Sequence, residues 1–217
     1  MIVAGGSGKR MNNTIPKQFI AINGKPLLMH TIEAFIKNDP AFELIVVLPE
    51  TEIDTWEMLC LEHSFHHRHT VVGGGTTRFH SVKNGLSKIM EEGIVFIHDG
   101  VRPLVSLQTI DNCYSAAVLK GNSIPVIAPS ESLREATVHG NRAVDRSRYF
   151  LVQTPQTFRL SIIKKAYNQR YLKKFTDDAS VLEEMGYSIN MVEGNRENIK
   201  VTFPQDLVYA ESFLRRS

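Results

Sequence analysis

The chain has 217 residues, of which 42% are hydrophobic, and this length is enough for one sizeable domain with a proper core. A formal net charge of +2 gives no global basic field of the kind that nucleic-acid-binding proteins carry. No apolar run approaches the length of a membrane span, and the start of the chain lacks the pattern of a signal peptide. We therefore expect one cytoplasmic domain spanning residues 1–217, with neither nucleic acid nor membrane among its partners.

The first 130 residues alternate between strand patterns and helix patterns. In chain order the predicted elements are the strand IVAGG, the helix LLMHTIEAFIKN, the strand FELIVVLPE, the helix IDTWEMLCLEH, the strand HTVVGGG, the helix RFHSVKNGLSKIMEE, the strand GIVFIHDG, the helix LQTIDNCYSAAVLK and the strand SIPVIAP. This alternation predicts an α/β fold with a Rossmann-like, mostly parallel sheet that has helices on both faces. Ligands of such sheets bind at the carboxyl ends of the strands, where the glycines after Val3 and Val72 and the carboxylate Asp99 lie.

The region from about Ser130 to Phe158 interrupts the alternation. Two short segments, SLREATV and AVDRSRYFLVQT, flank the turn signal HGN, so we predict a protruding two-stranded β-arm at about residues 130–158. An arm without a core of its own needs a partner, which favours a homodimer formed through the arm. The elements predicted after the arm are helices at 162–171 and 179–185, short strands at INMVEG and NIKVTF, and a last helix at 204–215.

The segment VAGGSGKRM near the start combines glycines with Lys9 and Arg10, which is typical of phosphate binding. It is not the P-loop of kinases, because Arg10 stands where that motif has the hydroxyl residue that holds magnesium, and it lacks the dinucleotide fingerprint G-x-G-x-x-G. What remains is a turn whose backbone N–H groups and cations can hold phosphate oxygens, with Lys17 in IPKQF as a further charge. The alternative interpretation is a strand-to-helix turn with solvated cations.

Several distinctive segments occur along the chain, in this order: AGGSGKRM with PKQF, GGGTTRFHSVKNGL, HDGVRP, VDR with QTPQTF, TDDAS, and NIKVTFPQDL. Together they resemble the 2-C-methyl-D-erythritol 4-phosphate cytidylyltransferase family, from Val3 to the C-terminal helix. The resemblance implies a fold of the nucleotidyltransferase type. It also implies transfer of CMP from CTP to the sugar-alcohol phosphate 2-C-methyl-D-erythritol 4-phosphate, with release of pyrophosphate, in isoprenoid precursor biosynthesis.

Two alternatives to this function remain open. Ribitol-5-phosphate cytidylyltransferases are near relatives that share the glycine loop, PKQF and NIKVT, whereas HSVKNGL and AVDR are more similar to the methylerythritol phosphate enzymes. The second alternative is a catalytically inactive, nucleotide-binding regulatory protein. Against it stands the joint presence of Arg10, Lys17, Asp99 and Lys200, since a sensor does not need both a metal carboxylate and a lysine at the reacting phosphate.

The resemblance also implies roles for individual residues. Both substrates are polyanions, so cations must offset their repulsion, and Arg10, Lys17 and Lys200 are the implied catalytic residues. Asp99 is the implied ligand of Mg²⁺ or another divalent cation, because Mg²⁺ prefers one or two carboxylates together with phosphate oxygens. The implied nucleotide-binding residues are Ala4, Gly5, Gly6, Ser7, Gly8, Gly75, Ser81, Asp99 and Gly100.

For the second substrate, the sugar-alcohol phosphate, the implied binding residues are Arg102, Ser132, Arg146 and Thr154. Ser132 and Arg146 lie on the predicted arm, so the resemblance implies that they reach into the neighbouring subunit's site. An exposed arm cation is the alternative for Arg146. For Arg78, a ligand role and a plain helix-start cation are both open.

Overall fold

The computed structural model describes residues 1–5 and 15–215, and its centre is an eight-stranded sheet. The strands, numbered along the chain, are β1 (Ile2–Val3), β2 (Ala21–Ile22), β3 (Lys25–Pro26), β4 (Ile45–Leu48), β5 (Thr70–Gly73), β6 (Ile94–Asp99), β7 (Asn122–Ile127), β8 (Arg134–Thr137), β9 (Gly140–Ala143), β10 (Leu151–Val152), β11 (Gln156–Arg159) and β12 (Met191–Glu193). The α-helices are α1 (Leu27–Asn38), α2 (Ile53–Glu62), α3 (Arg78–Leu86), α4 (Leu107–Lys120), α5 (Leu160–Ala166), α6 (Asp178–Glu183) and α7 (Pro204–Leu214). Short 3₁₀ helices lie at Lys17–Phe19, Glu50–Glu52 and Arg146–Arg148.

Four neighbouring strands, in the order β6–β1–β4–β5, run parallel to one another. Ile2 is in register with both Val46 and His98, and Val46 is in register with Val71, so the strands end at one common edge. They form from short apolar runs bounded by glycine or proline, as strands buried on both faces do. The predicted mostly parallel sheet is confirmed.

Helices cover both faces of the sheet, as predicted. Because side chains alternate along a strand, Ile2, Val46 and Phe96 pack in one core cluster, whereas Val3, Val47 and Ile97 pack in the other. The first cluster includes apolar residues of α1, α2 and α4, and the second includes those of α3, α5 and α6. The sheet is therefore the middle of three layers, with a hydrophobic core on each of its faces.

Strand β11 lies between β6 and β7 and is antiparallel to both. Residues 151–158 were predicted as part of the arm, so this portion of the prediction is wrong: β10 and β11 both pair with β7 in the main sheet. The reason is that Gln156 and Thr157 are 1% and 0% exposed although they are polar, because hydrogen bonds within the chain satisfy them. A pattern of hydrophobicity does not reveal a buried strand of this kind.

The hairpin of β8 and β9 is the part of the predicted arm that lies outside the main sheet, and all its strand residues are exposed. Two further predictions need correction. Helix α3 ends at Leu86, before the end of the predicted segment RFHSVKNGLSKIMEE, and NIKVTF forms no strand of the sheet. Among the described residues, no helix is long and apolar enough to cross a membrane.

Candidate active site

A cleft of about 260 Å³ opens at the carboxyl edge of the parallel strands. Ala4 and Gly5 border it after β1, Gly75 borders it after β5, and Asp99 borders it at the end of β6. Its other lining residues are Val3, Lys17, Gln18, Thr76, Thr77, Arg78, Ser81, Val101 and Lys200. Because parallel strands bring their carboxyl ends together, residues far apart in sequence meet here, as the sequence predicted for this edge.

The glycine turn after β5 forms one wall of the cleft. The Gly75 N–H donates to Ser81 Oγ at 3.1 Å, so the first turn of α3 holds the loop that precedes it. A Cβ atom on Gly75 would lie 2.4 Å from the Cβ of His80, which only glycine avoids without a backbone shift. Gly75 and Ser81 are therefore adjacent on this wall of the cleft.

Asp99 is the centre of the site's charge. Its Oδ2 atom lies 3.0 Å from Lys200 Nζ and 3.2 Å from Arg102 Nε, and its Oδ1 atom lies 3.8 Å from Arg78 Nε. Burial alone would raise the pKa of this carboxyl, but Lys200, Arg78 and Arg102 hold the pKa well below its ordinary value. Asp99 is therefore ionised, and the cations around it outnumber its single charge.

His98 and Thr154 fix the backbone that carries Asp99. The Asp99 N–H donates to Thr154 Oγ1 at 3.1 Å, and Thr154 Oγ1 lies 3.0 Å from His98 Nδ1. His98 Nε2 lies 3.0 Å from the Arg102 carbonyl oxygen, which only accepts, so Nε2 carries the proton and Nδ1 accepts from the threonine hydroxyl. Burial lowers the pKa of His98 to about 4, which keeps the ring neutral.

A short helix and a segment without regular secondary structure bring the two lysines to the cleft. The Val201 N–H donates to the Val101 carbonyl at 3.0 Å, which places the preceding Lys200 beside Asp99. Lys17 lies in the 3₁₀ helix and its Nζ donates to the Val201 carbonyl at 3.4 Å. Phe19 anchors that helix by stacking on Trp56, with ring centroids 6.0 Å apart. The lysines thus approach the same region from opposite ends of the chain.

Arg102 and Asn198 join the segment that carries Lys200 to the end of β6. Arg102 Nη1 donates to the Asn198 carbonyl at 2.7 Å while its Nε contacts Asp99. Asn198 Nδ2 in turn donates to the Thr154 carbonyl at 2.8 Å. Arg102 and Thr154, both predicted for the second substrate, therefore lie directly beside Asp99.

Arg78 and Asp178 form a contact that the sequence did not predict. Arg78 Nη1 and Nη2 donate to the two carboxylate oxygens of Asp178 at 2.8 and 2.7 Å, and Asp178 is fully buried. The Tyr167 hydroxyl donates to Asp178 Oδ1 at 2.5 Å. Burial would lower the pKa of Arg78, but Asp178 and Asp99 raise it, so the guanidinium stays charged. The conspicuous TDDAS segment was the available signal for Asp178.

Not every predicted residue lies at the cleft. Ser132 and Arg146 belong to the exposed arm region and are not among the described residues that line the cleft. Arg146 Nη1 donates to the Ser130 carbonyl. Gly100 packs behind the cleft, where a Cβ atom would lie 2.8 Å from the Cβ of Ala4. Four predicted residues lie outside the described part of the chain: Gly6, Ser7, Gly8 and Arg10.

The carboxylate fits a divalent cation that is bound mainly by a ligand. Asp99 supplies the cleft with one ionised carboxylate, and the described residues contain no group of three or more His, Cys, Asp or Glu side chains arranged to hold a metal. Mg²⁺ takes one or two protein carboxylates together with phosphate oxygens and water. The donor set therefore suits Mg²⁺ bound to a polyphosphate rather than a metal held by the protein alone.

Comparison with known proteins decides the family. The family model described as 2-C-methyl-D-erythritol 4-phosphate cytidylyltransferase matches residues 1–216. The chain belongs to this family. A relative of that name from Bacteroides thetaiotaomicron is 50% identical over 214 residues, which cover 99% of this chain and 98% of the relative. Another of the same name, from Phocaeicola vulgatus, is 52% identical over 211 residues, covering 97% of this chain and 96% of the relative.

Solved structures of family members have the same fold. The chain is similar to the 2-C-methyl-D-erythritol 4-phosphate cytidylyltransferase of Francisella tularensis with a TM-score of 0.81 and 33% identity, covering 97% of both chains. Its similarity to the enzyme of Thermus thermophilus has a TM-score of 0.79 at 29% identity, covering 99% of this chain and 97% of the other. The cleft thus belongs to a nucleotidyltransferase fold, and the family's members are cytidylyltransferase enzymes.

Proposed function

We propose that the chain transfers CMP from CTP to 2-C-methyl-D-erythritol 4-phosphate and releases pyrophosphate, as a step of isoprenoid precursor biosynthesis. The observation that carries this proposal is the cluster of cations around Asp99 at the carboxyl edge of the sheet, in a chain of this family. Lys17, Arg78 and Lys200 line the cleft, and Arg102 contacts Asp99 from beside it, so four positive charges stand against those of Asp99 and of Asp178, which pairs with Arg78. This balance favours a polyanion in the cleft.

In the proposed reaction, a phosphate oxygen of the sugar alcohol attacks the α-phosphorus of CTP. A new P–O bond forms as the bond to the pyrophosphate oxygen breaks, and the electron pair of that bond leaves with pyrophosphate. The attacking oxygen already carries negative charge, so no general base is needed, and the protein acts by positioning and charge stabilisation. The residues proposed for the triphosphate are Arg10, Lys17 and Lys200, which would stabilise the charge that grows on pyrophosphate.

The nucleoside would bind against the glycine turns. Gly5 and Gly75 border the cleft, and Ser81 Oγ lies between their backbones, since it accepts from the Gly75 N–H and would lie 3.4 Å from a Cβ atom on Gly5. Backbone N–H and C=O groups exposed at such turns can bond the edge of a base at close range. Ala4, Gly6, Ser7, Gly8 and Gly100 complete the proposed nucleotide-binding set.

Asp99 would hold a divalent cation together with the phosphates of CTP. When bound there, Mg²⁺ supplies positive charge to the phosphate oxygens. Lys200 and Arg102 share Asp99 Oδ2 and so keep this carboxylate ionised at neutral pH. Thr154 fixes the backbone of Asp99 by accepting a hydrogen bond from its N–H group.

Arg102 and Thr154 are proposed to bind the second substrate from the same chain, and Ser132 and Arg146 to bind it from a partner chain. The support for a homodimer is the exposed arm, together with an apolar run beside it in which each residue is exposed. That run is Tyr149, Phe150, Leu151 and Val152, with exposures of 47%, 44%, 51% and 43%. Exposed apolar runs of this kind mark contact surfaces.

The proposed activity is tested by measuring pyrophosphate release from CTP with either 2-C-methyl-D-erythritol 4-phosphate or ribitol 5-phosphate. We expect a far higher kcat/KM for the first alcohol, and severe loss of turnover at low Mg²⁺ in Asp99→Asn, since an amide is a poor ligand for a hard cation. Equal or reversed kcat/KM values for the two alcohols would contradict the assignment of the substrate. Unchanged Mg²⁺ dependence in Asp99→Asn would remove the carboxylate from the site.

The shared site is tested by complementation between Lys17→Ala and Arg146→Ala. If Arg146 of the partner subunit completes each site, a mixed dimer combines both defects in one site and leaves the other site intact. Random exchange of equal amounts makes about half the dimers mixed, so about a quarter of wild-type activity should return. No recovery, with mixed dimers shown by differential tagging, would contradict the shared site.

A further inference from the structure

The Arg78 guanidinium lies between two carboxylates and is bonded to only one of them. Its Nη1 and Nη2 atoms donate to Asp178 at 2.8 and 2.7 Å, whereas its Nε atom remains 3.8 Å from Asp99 Oδ1. The Asp178 side chain is completely buried, and the side chains of Arg78 and Asp99 are 29% and 10% exposed. Arg78 is thus held beside Asp99 in the cleft without forming a hydrogen bond to it.

The two oxygens of Asp99 differ in their surroundings. Lys200 and Arg102 both contact Oδ2, at 3.0 and 3.2 Å. Among the described ion pairs, the cation nearest to Oδ1 is Arg78, and its distance of 3.8 Å exceeds that of a hydrogen bond. Oδ1 is therefore the oxygen of Asp99 that faces a cation without a hydrogen bond to it, whereas Oδ2 is bonded to two cations.

Arg78 is kept in place by its bonds to Asp178 and by two further contacts that support Asp178. The paired bonds to Asp178 fix the plane of the guanidinium, because a bidentate arginine–carboxylate pair is both strong and geometrically specific. Tyr167 fixes Asp178 in turn, since its hydroxyl donates to Asp178 Oδ1 at 2.5 Å. Phe79 stacks on the Tyr167 ring at a centroid distance of 4.7 Å, which ties this support to the start of α3. The support therefore originates from the helices that pack on one face of the sheet.

Without Asp178, the guanidinium would have a second carboxylate within reach. A rotation of the side chain that shortens its 3.8 Å approach would convert the contact with Asp99 into a direct hydrogen-bonded ion pair. That pair would occupy Oδ1 with a positive charge. A divalent cation would then have to displace the arginine before it could bind.

We propose that Asp178 is a positioning residue that holds Arg78 away from Asp99 and so keeps Asp99 Oδ1 accessible to a divalent cation. The inference rests on the proposed role of Asp99 as the metal ligand. It assigns to the second aspartate of TDDAS a function that acts through Arg78 and does not require contact with either substrate.

The test measures how much a metal strengthens CTP binding. Calorimetric titration of CTP, without the alcohol, is performed in Mn²⁺ and again in EDTA, and the ratio of the two affinities is the metal gain. The metal gain reports the coupling between cation and nucleotide, independent of the overall affinity. We expect Asp178→Asn to lower the metal gain about tenfold relative to wild type, and Tyr167→Phe to lower it in the same direction by less.

Two further variants separate positioning from packing. Asp177→Asn is the matched control, because it removes the same charge one residue earlier at the start of the same helix, where Asp177 contacts Gln156 and Ser180 rather than Arg78. Asparagine is also a good helix cap, so α6 should persist and the metal gain should equal that of wild type. The double variant Arg78→Met/Asp178→Asn should recover the metal gain, since the displaced arginine is no longer present.

The outcomes are distinct. A merely structural role for Asp178 would weaken CTP binding equally in Mn²⁺ and in EDTA, leave the metal gain unchanged, and overturn the proposal. A lowered metal gain that persists in the double variant would also overturn it. If Asp99→Asn has the metal gain of wild type, the proposed metal role fails and the inference fails with it. If Asp178→Asn does not fold, Tyr167→Phe decides the question, because it removes the hydroxyl that fixes Asp178 and leaves the carboxylate in place. A metal gain in Tyr167→Phe equal to that of wild type would then overturn the proposal.

Discussion

The neutral, buried ring of His98 predicts that the protein loses stability as the pH falls below neutrality. Burial lowers the pKa of His98 from an ordinary value of 6.5 to about 4. Between these values the unfolded chain binds a proton at this position and the folded chain does not. The free energy of unfolding therefore rises with pH across this window, and the stabilisation is lost as the pH falls from about 6.5 towards 4.

The size of this effect follows from the same two pKa values. At about pH 5 most unfolded chains carry the proton on His98 and few folded chains do, which corresponds to a loss of about 2 kcal/mol relative to pH 8. The limiting loss, reached below both pKa values, is about 3 kcal/mol. The physical reason is that a charged ring would be buried with Nε2 and Nδ1 already committed to the Arg102 carbonyl and the Thr154 hydroxyl.

Urea unfolding of wild type and His98→Gln between about pH 8 and pH 4.5 isolates this contribution. Glutamine does not titrate, so its own cost is independent of pH, and the difference between the two curves removes every other titrating group. We expect the stability of wild type to fall about 2 kcal/mol further than that of the variant by pH 5. Parallel pH curves for the two proteins would refute the reasoning, because they would show that His98 titrates equally in both states.

Substitutions at three further positions test the cleft. Lys17→Ala should lower kcat more than it raises the KM for CTP if this lysine acts in the transition state. A hundredfold loss of kcat corresponds to about 2.7 kcal/mol of transition-state stabilisation. An effect on KM alone would restrict Lys17 to substrate binding. Gly75→Ala should destabilise the protein by about 1–3 kcal/mol, because the new methyl group meets His80. Unchanged urea unfolding would disprove that clash. Thr154→Val should cost about 1–3 kcal/mol by leaving the Asp99 N–H without its acceptor, whereas Thr154→Ser should restore most of it; equal stabilities of these two variants would argue against the hydroxyl's role.

The convergence of Gly75 and Asp99 could be predicted from the sequence because it depends on a simple rule. Short apolar runs alternating with amphipathic segments define a parallel sheet, and the residues that follow each run must then share one edge. The position of Lys200 came only from the family resemblance. Its segment has no regular secondary structure and is held by long-range hydrogen bonds to Val101, Arg102 and Thr154, which leave no local pattern in the sequence.

Other features depend on contacts that no local pattern encodes. Asp178 pairs with Arg78 across 100 residues, and a fully buried aspartate is indistinguishable in sequence from a solvated helix cap. Gln156 and Thr157 made β11 look like an exposed part of the arm, although both are buried. In each case a polar side chain is buried because a partner elsewhere in the fold satisfies it, and that partner is known only once the fold is known.

Strand β11 also determines when during synthesis the sheet can be completed. It is the strand that joins β6 to β7, so the half of the sheet that contains β7, β10 and β12 connects to the parallel half through it. Ribosomes deliver the chain from its N-terminus, and β6 has no partner on its outer side until Gln156–Arg159 has emerged. Until then β6 presents an open edge that can pair with another chain, and the Asp99 N–H at its end waits for Thr154. A nascent chain that pauses before Thr154 would therefore expose an aggregation-prone edge on the strand that ends at the candidate active site.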